Sequence, residues 1–140
     1  MFFTDIDEIP YTLVVPDYTY NAYVFDWVDG DTVDLQVFVK LDFGFHKYSI
    51  DLWKLRMRLN GIDTPERGKP NYHEATHFAE EQAPVGTLIR AKVTKMPTGY
   101  ADTEKYGRYL VEIFANDDNV NESLLASGLA KKYDGGTKTA

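Results

Sequence analysis

Cysteine is missing from all 140 residues. That excludes a disulfide scaffold, a thiolate zinc site and a cysteine nucleophile. It leaves the compartment open, because secreted proteins of this size do not require disulfides. Lysine and arginine are missing from residues 1–34, a stretch that holds eight acids. The rest of the chain holds the other 14 acids and all 15 bases, so the net charge of −7 belongs to the N-terminal quarter. No broad basic patch stands out, so tight non-specific binding to a polyanion by charge neutralisation is not supported. A site that engages a single phosphate remains compatible with this balance. There is no apolar run of about 20 residues, which excludes a membrane-spanning helix. The first residues are acidic and lack the basic start of a signal peptide. The default expectation is a soluble cytoplasmic protein, and a compact form without an export signal also fits a phage or prophage origin. Repeats, low-complexity tracts and linkers are absent too.

What is present is apolar material, 44% of the chain, with 14% aromatic residues. One core in one domain can be built from it. Residues 1–19 read as an acidic arm, interrupted by Pro10 and Pro16, with a short strand candidate at Tyr11 to Val15. Residues 20–133 form the expected domain and 134–140 a flexible Gly- and Thr-rich tail. Tyr20 to Val28 is rich in aromatic and β-branched residues and reads as a strand. Thr32 to Leu41 alternates, which places Val33, Leu35, Val37 and Val39 on one face. A turn is expected at Asp42 to Phe45. Lys47 to Ile62 is a second long extended stretch. Within it Leu55, Met57 and Leu59 alternate with Arg56 and Arg58, so both arginines lie opposite that apolar set. Thr87 to Lys95 and Tyr109 to Ala115 complete the strands. Helices are expected at His73 to Gln82, ended by Pro84 and Gly86, and at Asn119 to Ser127, ended by Gly128. The sum is a mainly β protein, a small barrel capped by two helices.

Three segments carry chemistry. Asp29-Gly30-Asp31-Thr32 lies where two strands join. Arg58-Leu59-Asn60-Gly61-Ile62-Asp63-Thr64-Pro65-Glu66 runs from a strand into a loop. Lys105-Tyr106-Gly107-Arg108 precedes a strand. Each has an ordinary reading as turn chemistry. Together they supply carboxylates at strand ends (Asp31, Asp63, Glu66), the hard oxygen ligands that calcium prefers. They also supply two planar, permanently charged forks, Arg58 and Arg108, that match phosphate oxygens. Phosphodiester hydrolysis uses this inventory.

In this order the segments resemble the staphylococcal nuclease family. The resemblance extends through Val33 and Leu35, and through Val120 to Leu125 and Gly128 to Lys131, over most of residues 20–133. It implies a five-stranded OB-fold barrel and a calcium-dependent nuclease acting on DNA and/or RNA to leave 3′-phosphates. It further implies that Asp31, Asp63 and the Thr64 carbonyl hold Ca2+. Glu66 would position the water and accept its proton. Arg58 would bind the phosphate, and Arg108 would stabilise the transition state. Lys105 and Tyr106 match positions near the nucleotide phosphates, and Tyr133 is a partial candidate for the base-stacking wall. The strands around Asp42 to Trp53 are longer than the family pattern, and monomer or homodimer is left open.

Two rivals stand beside this reading. One is a catalytically silent OB-fold module that binds nucleic acid or protein; the intact carboxylates and arginines argue against it. The other is a zinc protease, from His73-Glu74-Ala75-Thr76-His77, which matches H-E-x-x-H. It lacks an evident third ligand, since the only other histidine is His46. Trp27 and Trp53 are assigned to packing.

Overall fold

A computed structural model describes residues 17–94, 103 and 107–133. The expected strand at Tyr11 to Val15 and the tail lie outside them. Five strands make the barrel: β1 (Thr19–Asp29), β2 (Thr32–Asp42), β3 (Lys47–Leu59), β5 (Leu88–Val93) and β6 (Tyr109–Ala115). The sheet order is β3-β2-β1-β5-β6, and a parallel pairing of β3 with β6 closes it. Closure leaves the core strands without an open edge where they meet. The short strands β4 (Ile62–Asp63) and β8 (Lys131–Lys132) pair antiparallel, and β7 (Asp118–Asn119) pairs antiparallel with the end of β6.

The alternation read from β2 is the alternation that is buried: Val33, Leu35 and Val37 point into the barrel with Met57 and Leu59 of β3. Ile89, Ala91 and Val93 of β5 and Val111 and Ile113 of β6 fill the other side. Two helices cap this core. In α1 (Tyr72–Gln82), Tyr72, Ala75 and Ala79 are buried. These positions share one helical face, and the two alanines let the helix approach closely. Trp27 anchors the far end of α1, its indole Nε1 donating to the Ala83 carbonyl at 2.8 Å. Helix α2 (Val120–Ser127) is capped by Asn119, whose side chain accepts from the Glu122 amide at 3.1 Å, and it stops at Gly128 in the left-handed conformation.

Two expectations change. The stretch read as one strand from Lys47 to Ile62 breaks at Asn60-Gly61, where Gly61 takes a φ of 77°. The Asn60 amide is taken up by the Val111 carbonyl at 2.8 Å, so the chain turns over β6 instead of running past it. Trp53 is not a packing residue: it is 62% exposed, with its ring edge-on to Phe25 at 5.3 Å. It lies within a register shift between β2 and β3, and the next residue, Lys54, has a φ of 54°. The bulge turns the indole to the outer surface. Among the described residues no helix is long and apolar enough to cross a membrane.

Candidate functional site

The β1–β2 turn supplies the first element. Gly30 sits where α1 and the segment after β4 converge. A Cβ there would lie 3.0 Å from Ala75 Cβ and from Thr64 Cγ2. Glycine is therefore what lets these three pieces meet. The turn is tied to α1 by Tyr72, whose hydroxyl donates to Asp29 Oδ1 in a short hydrogen bond. Accepting that bond, the Asp29 carboxylate holds the Tyr72 phenol above its ordinary value of 10.0, with Arg67 pulling the other way.

Asp31 follows, buried. Its Oδ2 accepts from the Thr64 amide at 3.0 Å and is ion-paired with Arg58 Nη1 at 3.1 Å. Its carbonyl accepts from the Leu59 amide at 2.8 Å. Arg58 comes from the end of β3 and is also buried. Its Nη2 donates to the Ile62 carbonyl at 3.1 Å and pairs with Asp63 Oδ1 at 3.4 Å. One guanidinium thus bridges two buried carboxylates, Asp31 of the β1–β2 turn and Asp63 of β4. The Tyr133 ring lies 5.1 Å from it, a cation–π contact that places Tyr133 at the site. Arg108, just before β6, reaches the same corner: its Nη1 donates to Thr32 Oγ1 at 3.2 Å, and that hydroxyl in turn donates to Asp31 Oδ1 at 3.2 Å.

The structure therefore brings Asp31, Arg58, Asp63, Thr64, Arg108 and Tyr133 together. Glu66 stands exposed on the loop that follows. Lys105 and Tyr106 lie outside the described residues. Asp31 and Asp63 are the carboxylates buried at this corner. Among the described residues no three His, Cys, Asp or Glu side chains gather as a metal cluster. The donors that do gather are all oxygens, the set suited to a hard cation. Thr64 Oγ1 is buried there without a hydrogen-bond partner among the described residues. The residues therefore fit calcium in donor chemistry, with coordination left to be completed by water or a phosphate.

The two arginines of β3 share a face but not a task. Arg56 makes a bidentate pair with the buried Asp34, at 2.9 and 3.1 Å, on the barrel wall. That pair went unforeseen, although the facing positions on β2 and β3 would have allowed it. Asn121 was also missed. Buried at the start of α2, it donates to the carbonyls of Asn60 (3.0 Å) and Val111 (3.1 Å) and accepts from the Ile113 amide (3.2 Å). It fixes the turn between Arg58 and Asp63. Its placement at the beginning of a helix gave no sign of this. Among the described residues the H-E-x-x-H helix does not assemble a site. His73, Glu74 and His77 are exposed, His77 pairs with Glu81 at 2.9 Å, and His46 lies on a hairpin tip against Tyr48.

Comparison with known proteins gives a consistent picture. The family model described as "Staphylococcal nuclease homologue" matches residues 56–139. An uncharacterized protein of Methanocaldococcus jannaschii is 33% identical, covering 81% of this chain and 59% of its own length. A thermonuclease of Staphylococcus intermedius is 32% identical over 54% of this chain and 45% of its own. An uncharacterized 38.1 kDa protein of Capnoides sempervirens is 37% identical over 57% of this chain and 21% of its own. The chain thus spans between about a fifth and three fifths of these relatives' lengths.

Proposed function

The chain belongs to the staphylococcal nuclease homologue family, and from that premise we propose that it is a calcium-dependent nuclease hydrolysing phosphodiester bonds of DNA and/or RNA. The observation that carries this reading is the joining of three separate segments at one corner of the barrel. Asp31, Asp63 and Arg58 share ion pairs there, and Arg108 is tied in through Thr32.

Asp31, Asp63 and the Thr64 carbonyl would hold the ion. When bound, it would offset the negative charge of the scissile phosphate. The remaining chemistry falls to the chain. Glu66, exposed beside the site, orients the attacking water and accepts its proton. The water oxygen bonds to phosphorus as the bond from phosphorus to the 5′ oxygen breaks. The departing 5′ oxygen takes a proton from solvent and Glu66 returns its own to solvent, so the products are a 3′-phosphate and a 5′-hydroxyl. Arg58 and Arg108 direct their forks at the non-bridging oxygens, where charge builds in the transition state. Tyr72 and Asn121 keep the two turns in place and touch no reacting atom.

One observation favours a second reading, a module that binds nucleic acid without turnover. Arg58 already spans Asp31 and Asp63, so one of the two carboxylate charges is offset without metal. One assay separates the two. The purified protein is incubated with single-stranded DNA and with RNA, in calcium and then in chelator. Cleavage that needs calcium and falls at least 100-fold in Arg108→Ala and Glu66→Gln supports the nuclease. Binding without cleavage in calcium rejects it.

A further inference from the structure

The core stripe of β2 does not stop where the barrel stops. Pairing of β1 with β2 ends at Asn21 opposite Phe38, and pairing of β3 with β6 is confined to Met57 through Leu59. Beyond these points β2 and β3 continue as a two-stranded ribbon. Its register sets Val37 opposite Leu52, Val39 opposite Ile50 and Leu41 opposite Tyr48. Directly opposed residues point to the same side, so all six side chains share one face. The alternate positions are polar except for Phe38, which faces Asp51 and packs edge-on against Tyr23: Lys40 faces Ser49, and Asp42 faces Lys47 with a 3.9 Å ion pair.

Val37 is buried and Val39 packs against the barrel core, but the rest of the face is left in solvent. Tyr48 is 56%, Ile50 42% and Leu52 39% exposed, and at the tip Phe43 is 42% and Phe45 91% exposed. Phe43 and His46 pack edge-on against the Tyr48 ring at 6.1 and 4.7 Å, extending the patch around the turn. By side-chain size these five residues present about 500 Å² of apolar surface, in the upper part of the roughly 300–600 Å² that the largest patch of a typical monomer covers, a size that is often functional. A long, exposed, apolar ribbon whose edges no other strand pairs among the described residues is an association site unless something covers it.

We propose that a second copy of this chain covers it, in a two-fold dimer that packs ribbon face on ribbon face. Three features select this occupant. The face carries no Lys, Arg, Asp or Glu, so it meets its own copy without like-charge repulsion, as an isologous contact requires. The same lack of cations leaves nothing to hold a phosphate backbone, which disfavours a nucleic acid. Joining two copies removes about 1,000 Å² from these residues alone, the threshold for a specific interface, before Val39, Leu41 and the flanks add to it. The candidate functional site lies at the other end of the same strands, where Thr32 faces Arg58. That is nine residues of β2 from Leu41, about 30 Å, so the dimer leaves both sites open.

Sedimentation velocity on the full chain between about 5 and 200 μM tests this, beside Phe45→Asp and the double variant Tyr48→Lys/Leu52→Lys. A concentration-dependent dimer in the wild type that Phe45→Asp weakens by at least 10-fold, and that the double variant abolishes, is expected. Phe45 is in solvent, so its replacement leaves folding intact, and circular dichroism checks that; if the double variant fails to fold, Phe45→Asp alone decides. A wild type that stays monomeric at 200 μM overturns the proposal, leaving residues 1–16 or a different macromolecule as the occupant. A dimer that Phe45→Asp leaves unchanged overturns it as well, because the interface then lies elsewhere.

Discussion

Replacing Arg58 by methionine tests the centre of the site. Methionine keeps much of the stem volume and removes the charge. In the wild type the guanidinium sits 3.1 Å from Asp31 and 3.4 Å from Asp63, and all three side chains are 10% exposed or less. Its loss strands two buried carboxylates close together. Breaking a buried pair by removing one partner costs about 3–5 kcal/mol. The Thr64 amide on Asp31 and the preserved packing soften this, so we expect about 3 kcal/mol at pH 7 in chelator. With an m-value near 1.5 kcal/mol/M, the urea midpoint falls by about 2 M. Arg58→Lys should recover only part, because a point charge cannot bridge both acids. Calcium at millimolar concentration should then raise the midpoint of Arg58→Met more than that of the wild type, since the ion replaces the missing cation between the acids. A urea midpoint within 0.3 M of wild type would show that the pair does not hold this corner. An equal calcium response in both proteins would remove Asp31 and Asp63 from the list of ligands.

Other perturbations probe the supports. Gly30→Ala forces a methyl to within 3.0 Å of Ala75 Cβ and Thr64 Cγ2, and should cost about 1–3 kcal/mol in urea unfolding while displacing the Asp31 turn. A stability unchanged within error refutes that crowding. Arg56→Ala leaves the Asp34 carboxylate buried without its fork, and should cost about 2 kcal/mol after allowance for the half-exposed arginine. Adding Asp34→Asn should return part of the loss, and a double variant no better than the single one argues against the pair. Tyr72→Phe removes the phenol–carboxylate bond and should cost about 1 kcal/mol at pH 8. The folded-state value of Tyr72 is raised, so its contribution is present in full below the ordinary 10.0 and fades as pH climbs through the raised value. The two unfolding curves should therefore converge above pH 10, and a gap that persists there assigns the effect to packing.

Much of this molecule is legible in one dimension. Alternation at Val33, Leu35 and Val37 named the buried face of β2, because a strand sends successive side chains to opposite sides whatever surrounds it. The second helix was readable from Asn119 and Gly128, since a cap acts within a turn of its own residue. The order of the acid and arginine segments pointed to one site for the same reason: each lies at a strand end, where a side chain can leave the barrel wall.

Tertiary structure decided everything that depends on which strands meet. Arg56 and Arg58 are equivalent by period, yet one holds a wall carboxylate and the other spans the site, because Arg56 faces Asp34 while Arg58 lies at the last rung beside Asp31 and Asp63. The parallel closure of β3 on β6, which brings Arg108 to Thr32, joins residues about fifty positions apart and leaves no local mark. The break at Asn60-Gly61 is held by Asn121 and β6, both distant in sequence. Sequence alone determined which residues seek burial and where the chain can turn, because those are local properties of side chain and backbone. Only the closed barrel chose the partners of each charge and the length of ribbon left outside, because pairing energies belong to surfaces that exist once the strands are assembled.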